Sequence, residues 1–207
     1  MCYAKKLALL GGCFVPLMAF AQVRAPVSAE VRRYAIEVAG VRVGTMTATR
    51  QPQPDGQLRY TLVSDVRVNL LLYKVVVYYQ VENLFRNGQL LVSTVKARTN
   101  RGNYQSRTEW KADHYDIVAD QYKYRRRTTE PDRIGYTLTD LYFGEPTGRD
   151  RVYAEYFGDY FGLTPTKPGT YRARLADRED EYTYQNGQLV KIVKKNALKN
   201  FIIRRLD

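Results

Sequence analysis

Residues 73–99, YKVVVYYQVENLFRNGQLLVSTVKART, decide how the rest of the chain reads. Tyr73, Val75, Val77, Tyr79 and Val81 alternate with Lys74, Val76, Tyr78, Gln80 and Glu82. That period of two places successive side chains on opposite faces of a strand. The middle of the run is apolar on both faces, as in a central or curled strand. Asn87-Gly88 then supplies the pair that a type I′ turn needs, since both central residues of that turn have positive φ. Leu90 to Thr99 returns, and the unit is an antiparallel hairpin.

The same grammar extends in both directions. Upstream, Arg33 to Val38 and Val41 to Thr49 flank Ala39-Gly40, with Tyr34, Ile36 and Val38 on one face. Gly44 inside the second run predicts a bulge or a close backbone approach. Pro52, Pro54 and Asp55-Gly56 break the pattern before the strand Leu58 to Val68. Downstream of a turn at residues 100–103, Tyr104, Ser106, Thr108 and Trp110 alternate with Gln105, Arg107, Glu109 and Lys111, giving one wet face. Asp113-His114 reads as a turn, and Tyr115 to Arg126 as one long strand. Tyr136 to Phe143 and Val152 to Phe161 lose the alternation, and either fits a short helix. Thr170 to Leu175, Asp180 to Tyr184 and Gln188 to Lys194 restore it. Phe201 to Leu206 reads as a last strand or a short helix, because Leu198, Phe201 and Ile202 also fit helical spacing.

The turns Asp55-Gly56-Gln57-Leu58, Asn87-Gly88-Gln89-Leu90 and Asn186-Gly187-Gln188-Leu189 share a tetrad. Their flanks differ, so this is reuse of a favoured turn and not an internal repeat. The expected fold is all-β, an antiparallel meander of about ten strands curled into a barrel or half-barrel with at most short helices. The 18 tyrosines agree with it, since Tyr, Val and Thr suit a pleated, half-buried surface.

The N-terminus reads differently. Lys5 and Lys6 precede an apolar run from Leu7 to Phe20 that closes on Ala19-Phe20-Ala21, the pattern of a secretory signal peptide over residues 1–21. The run is short of the roughly 20 residues that span a bilayer. A rival signal, Leu10-Gly11-Gly12-Cys13, resembles a lipoprotein lipobox, but it would leave only Leu7 to Leu10 as the apolar part. The expectation is therefore a soluble exported protein of the periplasm or cell surface, with residues 22–207 as one β-rich domain; a lipoprotein anchored at Cys13 is the alternative. Cleavage after Ala21 also removes Cys2 and Cys13, so the core must hold without disulfides.

Removing Lys5 and Lys6 with the leader lowers the net charge from +12 to +10, still strongly basic. Outside the cytoplasm such a field favours phospholipid head groups, lipopolysaccharide or acidic glycans over nucleic acid. Lys96, Arg98, Arg107 and Lys111 alternate outward on two neighbouring predicted strands, with Lys123, Arg125 and Arg127 on the next. Together they compose one basic face that suits an anionic leaflet, or edge protection by charge. Tyr104 and Trp110 point to the opposite side, so the face lacks the stacking platform that nucleic acid needs.

A resemblance enters on three segments: Tyr34-x-Ile36-x-Val38-x-Gly40-Val41-x-Val43-Gly44-x-Met46, Phe85-x-Asn87-Gly88-x-Leu90-x-x-Ser93, and Leu141-Tyr142-Phe143-x-Glu145-Pro146. In that order they look like β-rich domain-of-unknown-function families of exported bacterial proteins, over most of the chain after the leader. The resemblance implies a periplasmic or cell-surface domain with no assigned activity, and it transfers no catalytic residue. A looser architectural likeness, by analogy alone, is to half-barrels that shuttle lipoproteins or lipids across the periplasm.

Catalytic chemistry is thin. His114 stands beside Asp113 and Asp116 in a turn, and the serines Ser28, Ser64, Ser93 and Ser106 have no nucleophile-elbow context. No spacing asks for a metal or a cofactor. The most unusual feature is Tyr142-Phe143-Gly144, Tyr156-Phe157-Gly158 and Tyr160-Phe161-Gly162, interleaved with Glu145, Glu155 and Asp159. These aromatics plug one end of a barrel, each glycine releasing the chain into a turn, or they form a mouth for sugar or lipid. The ligand-binding candidates are accordingly Tyr142, Phe143, Glu145, Tyr156, Phe157, Tyr160 and Phe161. The functional expectation is a non-enzymatic barrel that binds an apolar or amphiphilic ligand or an envelope partner, lipid or glycan, in its concavity. The alternative is a carbohydrate-active enzyme that uses Glu145, Glu155, Asp159, Glu179 and Glu181 as paired acids. An outer-membrane barrel fits less well, because charged residues fall on both faces of several strands.

Overall fold

The hairpin at Asn87-Gly88 forms as its alternation predicts, with φ of 51° and 68° at the two turn residues. It belongs to a computed structural model that describes residues 28–70, 73–195 and 200–206. The leader, Cys13 and Leu198 lie outside the described residues. In chain order the strands are β1 (Glu30–Val38), β2 (Val41–Pro52), β3 (Gln57–Leu70), β4 (Tyr73–Arg86), β5 (Gln89–Thr99), β6 (Gly102–Trp110) and β7 (Tyr115–Gln121). They continue with β8 (Tyr124–Glu130), β9 (Arg151–Ala154), β10 (Asp159–Lys167), β11 (Thr170–Leu175), β12 (Arg178–Gln185), β13 (Gln188–Lys194) and β14 (Phe201–Arg205).

All fourteen lie in one antiparallel sheet, ordered β8-β7-β6-β5-β4-β3-β2-β1-β14-β13-β12-β11-β10-β9. Apart from β8 with β9, each strand pairs with its neighbours in sequence, and β1 pairs with β14. A ring of strands is thus complete but for one ladder, between β8 and β9. The all-β meander and its curled, unclosed form agree with the sequence reading. The strand count is higher for three reasons. Tyr115 to Arg126 is a hairpin and not one strand: the chain turns at Tyr122-Lys123, where Lys123 has a φ of 58°. The segment Val152 to Phe161 holds the β9–β10 hairpin, and within Tyr136 to Phe143 there is a single 3-10 turn, Asp140–Tyr142. Phe201 to Arg205 is a strand.

Alternation sets what lies inside. On β7, Tyr115, Ile117, Ala119 and Gln121 are buried while Asp116, Val118 and Asp120 are exposed. At Gly44 the register of β1 against β2 shifts between Ile36 and Glu37, and a Cβ there would meet the Asp65 carbonyl oxygen at 2.3 Å. Both the bulge and the close approach expected at this glycine are present.

The segment between β8 and β9 runs through the interior near the Asn87-Gly88 end, so Ile134, Leu141, Tyr142 and Phe143 are buried core. Its backbone has few strand partners there, yet buried carbonyls and amides must be hydrogen-bonded. Inward tyrosines supply part of that. Tyr184 donates its hydroxyl to the Leu141 carbonyl at 2.9 Å, and Tyr34 to that of Tyr142 at 3.3 Å. Arg32 Nη1 donates to the same Tyr142 oxygen at 2.9 Å. Tyr115 accepts from the Ile134 N–H while donating to the Leu90 carbonyl. The tyrosine richness therefore serves a threaded segment as well as strand propensity.

Where β8 and β9 fail to pair, side chains bridge. Arg126 Nη1 lies 3.0 Å from Asp159 Oδ2, and the Tyr124 and Phe157 rings meet edge-on with centroids 5.3 Å apart. Deeper in, the Thr108 and Tyr153 hydroxyls share a 2.6 Å hydrogen bond, and Ser106 donates to the Tyr156 carbonyl at 2.7 Å.

Candidate functional site

Beyond the threaded segment the half-barrel keeps a cavity of about 370 Å³. Inward positions of β1 to β4, among them Ile36, Leu62, Val66 and Val81, make one wall. Tyr182 of β12 and Phe201 and Ile203 of β14 face them. Leu138, Thr139 and Tyr142 of the threaded segment line it too, with Tyr156 and Phe157 of the β9–β10 turn and Phe161 of β10. Arg178, Asp180 and Lys194 supply its other charges. An apolar hollow of this size with a few convergent polar groups is the usual form of a small-molecule site.

Besides Asp180, a second carboxylate lines it. Glu155 is 3% exposed, and its Oε1 accepts from Thr139 Oγ1 at 2.6 Å, Asn83 Nδ2 at 2.8 Å and the Thr139 N–H at 3.1 Å. Next to this network the Asp140 carboxylate accepts from the Thr137 N–H at 2.7 Å and hydroxyl at 2.9 Å. Burial pushes the Asp140 carboxyl above its ordinary range, and the Thr137 bonds act against that shift. The hydroxyls of Tyr79, Tyr142 and Tyr182 are held well above the ordinary phenol range, first by burial, and then by Glu155 at Tyr79, by Tyr34 and Asp180 at Tyr142 and by Asp180 at Tyr182, with Glu155 adding less at the last two. They stay neutral and act as hydrogen-bonding groups.

Of the ligand-binding candidates, the cavity gathers Tyr142, Tyr156, Phe157 and Phe161. Phe143 and Glu145 lie instead along a separate polar recess with Arg50 and Arg149, where Tyr171 donates its hydroxyl to Glu145 at 2.8 Å. Tyr160 packs edge-on against Tyr153 with Arg151 over its ring. Tyr142 and Phe143 thus belong to the interior plug, while Tyr156, Phe157 and Phe161 flank the hollow. Gly158 does sit in a turn, at φ 62°, but Gly162 lies within β10.

The five acids weighed for hydrolysis are not gathered at one place. Glu155 is in the cavity, Glu145 in the recess, and Asp159 in the seam with Arg126. Glu179 pairs with Arg172 and Lys195, and Glu181 stands opposite Arg172 in the ladder. His114 bonds Asp113 and Asp116 in the exposed β6–β7 turn.

The basic residues are exposed. Lys96, Arg98, Arg107 and Lys111 follow the predicted alternation, but Arg125 and Arg127 lie on β8, one strand further out than expected, and Lys123 is in the turn. The intervening β7 brings Asp116 and Asp120 onto that side, and Asp120 binds Arg125 at 3.0 Å. Glu109 takes both Arg107 and Lys111.

Sequence reasoning did not name Tyr182, Arg178, Asp180 or Lys194 as site residues, and it placed Tyr79 only as one member of an alternating strand. The signal available was that same alternation, which puts Tyr79 with Val77 and Val81, and Tyr182 with Tyr184 and Asp180.

A family model described as a domain of unknown function, DUF6134, matches residues 34–206. No curated protein matches significantly. Among solved structures, the fold is similar to that of a beta-barrel-like protein of domain of unknown function DUF1849 from Brucella abortus. The likeness has a TM-score of 0.50 at 8% identity and covers 86% of this chain and 95% of that one.

Proposed function

Because the chain belongs to the DUF6134 family, whose description leaves activity open, we propose a function from the cavity: an exported, non-enzymatic domain that holds an apolar or amphiphilic molecule inside its half-barrel. The observation that carries this reading is the 370 Å³ hollow itself, walled by aliphatic and aromatic side chains and kept open although a whole interstrand segment fills the rest of the interior. Interiors otherwise pack with few voids larger than a water molecule. The basic exterior and the leader over residues 1–21 support a place at the envelope, where amphiphiles are abundant.

Native mass spectrometry of the protein recovered from its own cells tests this. The expected spectrum shows a polypeptide beginning at Gln22 with an organic-soluble adduct. A bare polypeptide that also fails to bind a panel of C8 to C12 amphiphiles overturns the binding reading, and a chain still beginning at Met1 overturns the export reading.

A further inference from the structure

Among the described residues, Glu155 is a buried carboxylate with no cation beside it. Among the described residues its three hydrogen bonds all fall on Oε1, and all come from neutral donors. No donor reaches Oε2, and no Lys, Arg or His of the described residues pairs with either oxygen. The cavity's own cations are engaged elsewhere: Lys194 holds Asp180 at 2.6 Å, and Arg178 stands over the Phe157 ring at 4.5 Å. Buried charges are normally paired, because removing an ion from water without a counter-ion is costly.

Three further polar groups share this situation. The hydroxyls of Tyr79, Tyr142 and Tyr182 make no hydrogen bond among the described residues, although a buried tyrosine usually finds a partner. All three line the same cavity as Glu155, whose charge adds to burial at each of them, behind that of Asp180 at Tyr142 and Tyr182. One anionic acceptor, three hydroxyls and the electron-rich faces of aromatic rings compose an environment for a compact cation with several N–H donors.

We propose that the ligand of this cavity carries a protonated aliphatic amine, and that it binds with the ammonium on Glu155 Oε2 and the tyrosine hydroxyls. Its apolar body then lies along Ile36, Leu62, Val81 and Ile203. This deepens the cavity reading and rests on it. The recognition is local, since the protein's net charge of +12 favours anions everywhere else.

Decylamine, decanol and decanoate, each below its micelle concentration, separate the possibilities when titrated calorimetrically into the full protein at neutral pH. The expected result is decylamine bound about tenfold more tightly than either other head group, as one new buried charge pair allows. Glu155→Gln keeps an acceptor oxygen for Thr139 and removes the charge; it should abolish the preference by weakening decylamine about tenfold, well beyond any change in decanol. Equal binding of all three, or a preference that survives Glu155→Gln, overturns the amine assignment alone. Failure of all three to bind overturns the cavity reading and the assignment with it. Should Glu155→Gln not fold, Tyr79→Phe carries the test, with decylamine expected to weaken about threefold and by more than decanol does; a decylamine affinity that is unchanged, or weakened no more than that of decanol, then counts against the proposal.

Discussion

The sheet has two junctions where a ring of strands would close, and they are built from different material. At β1–β14 the backbone does the work: Tyr34 to Val38 pair in register with Arg205 to Phe201, and Ile36 and Ile203 meet at the centre, both buried. At β8–β9 there is no ladder, and the Arg126–Asp159 pair, the Tyr124–Phe157 contact and the Thr108–Tyr153 bond span the gap. The edge of β9 is covered by the threaded segment, whose Leu138 N–H donates to the Tyr153 carbonyl at 2.8 Å. β8 is guarded by charge, with Arg125, Arg126 and Arg127 exposed along it. A ladder tolerates most side chains and distributes its energy, whereas a side-chain seam concentrates it in a few groups.

Breaking the first junction should therefore cost most through its core. Ile203→Ala leaves a cavity between β1 and β13, with an expected loss of about 2–5 kcal/mol. It is measured as a lower urea midpoint with unchanged m. A loss well below 1 kcal/mol would mean that this ladder is not where stability resides. The seam's interior comes next. Tyr153→Phe deprives the buried Thr108 hydroxyl of its partner, at about 1–2 kcal/mol, and the double variant with Thr108→Val should recover part of it in a mutant cycle. The smallest effect belongs to the seam's exterior. Both side chains of the Arg126–Asp159 pair are about a third exposed, so Arg126→Ala should cost at most about 1 kcal/mol. That difference from wild type should shrink between 50 mM and 500 mM salt. An effect as large as that of Ile203→Ala would overturn the contrast.

The regular part of this fold was legible because one face of each strand is wet. β1 to β6 and β11 to β13 announce themselves by alternation, and three of their turns by Ala39-Gly40, Asn87-Gly88 and Asn186-Gly187. Legibility failed where either cue was missing. The Tyr122-Lys123 turn has no Gly, Asn or Pro, so β7 and β8 read as one strand. Much of residues 134–146 and β9 is buried on more than one side, as Val152, Tyr153 and Ala154 all are, and such a run has no period to read. The site was half legible for the same reason. The aromatic pairs were visible as a cluster in sequence, but the meeting of Glu155 with Tyr79 and Tyr182 is produced by the chain's passage through the interior, and no local pattern encodes it.

The pairing of Ile36 with Ile203 also dictates an order of assembly. A polypeptide that emerges N-terminus first must carry β1 with one side unmatched until its final strand is free, and contacts so distant in sequence close slowly. Joining of the two halves at this ladder thus waits on β14, and a truncation that removes β14 would split the sheet into two, held together only by the β8–β9 connection and its side-chain seam.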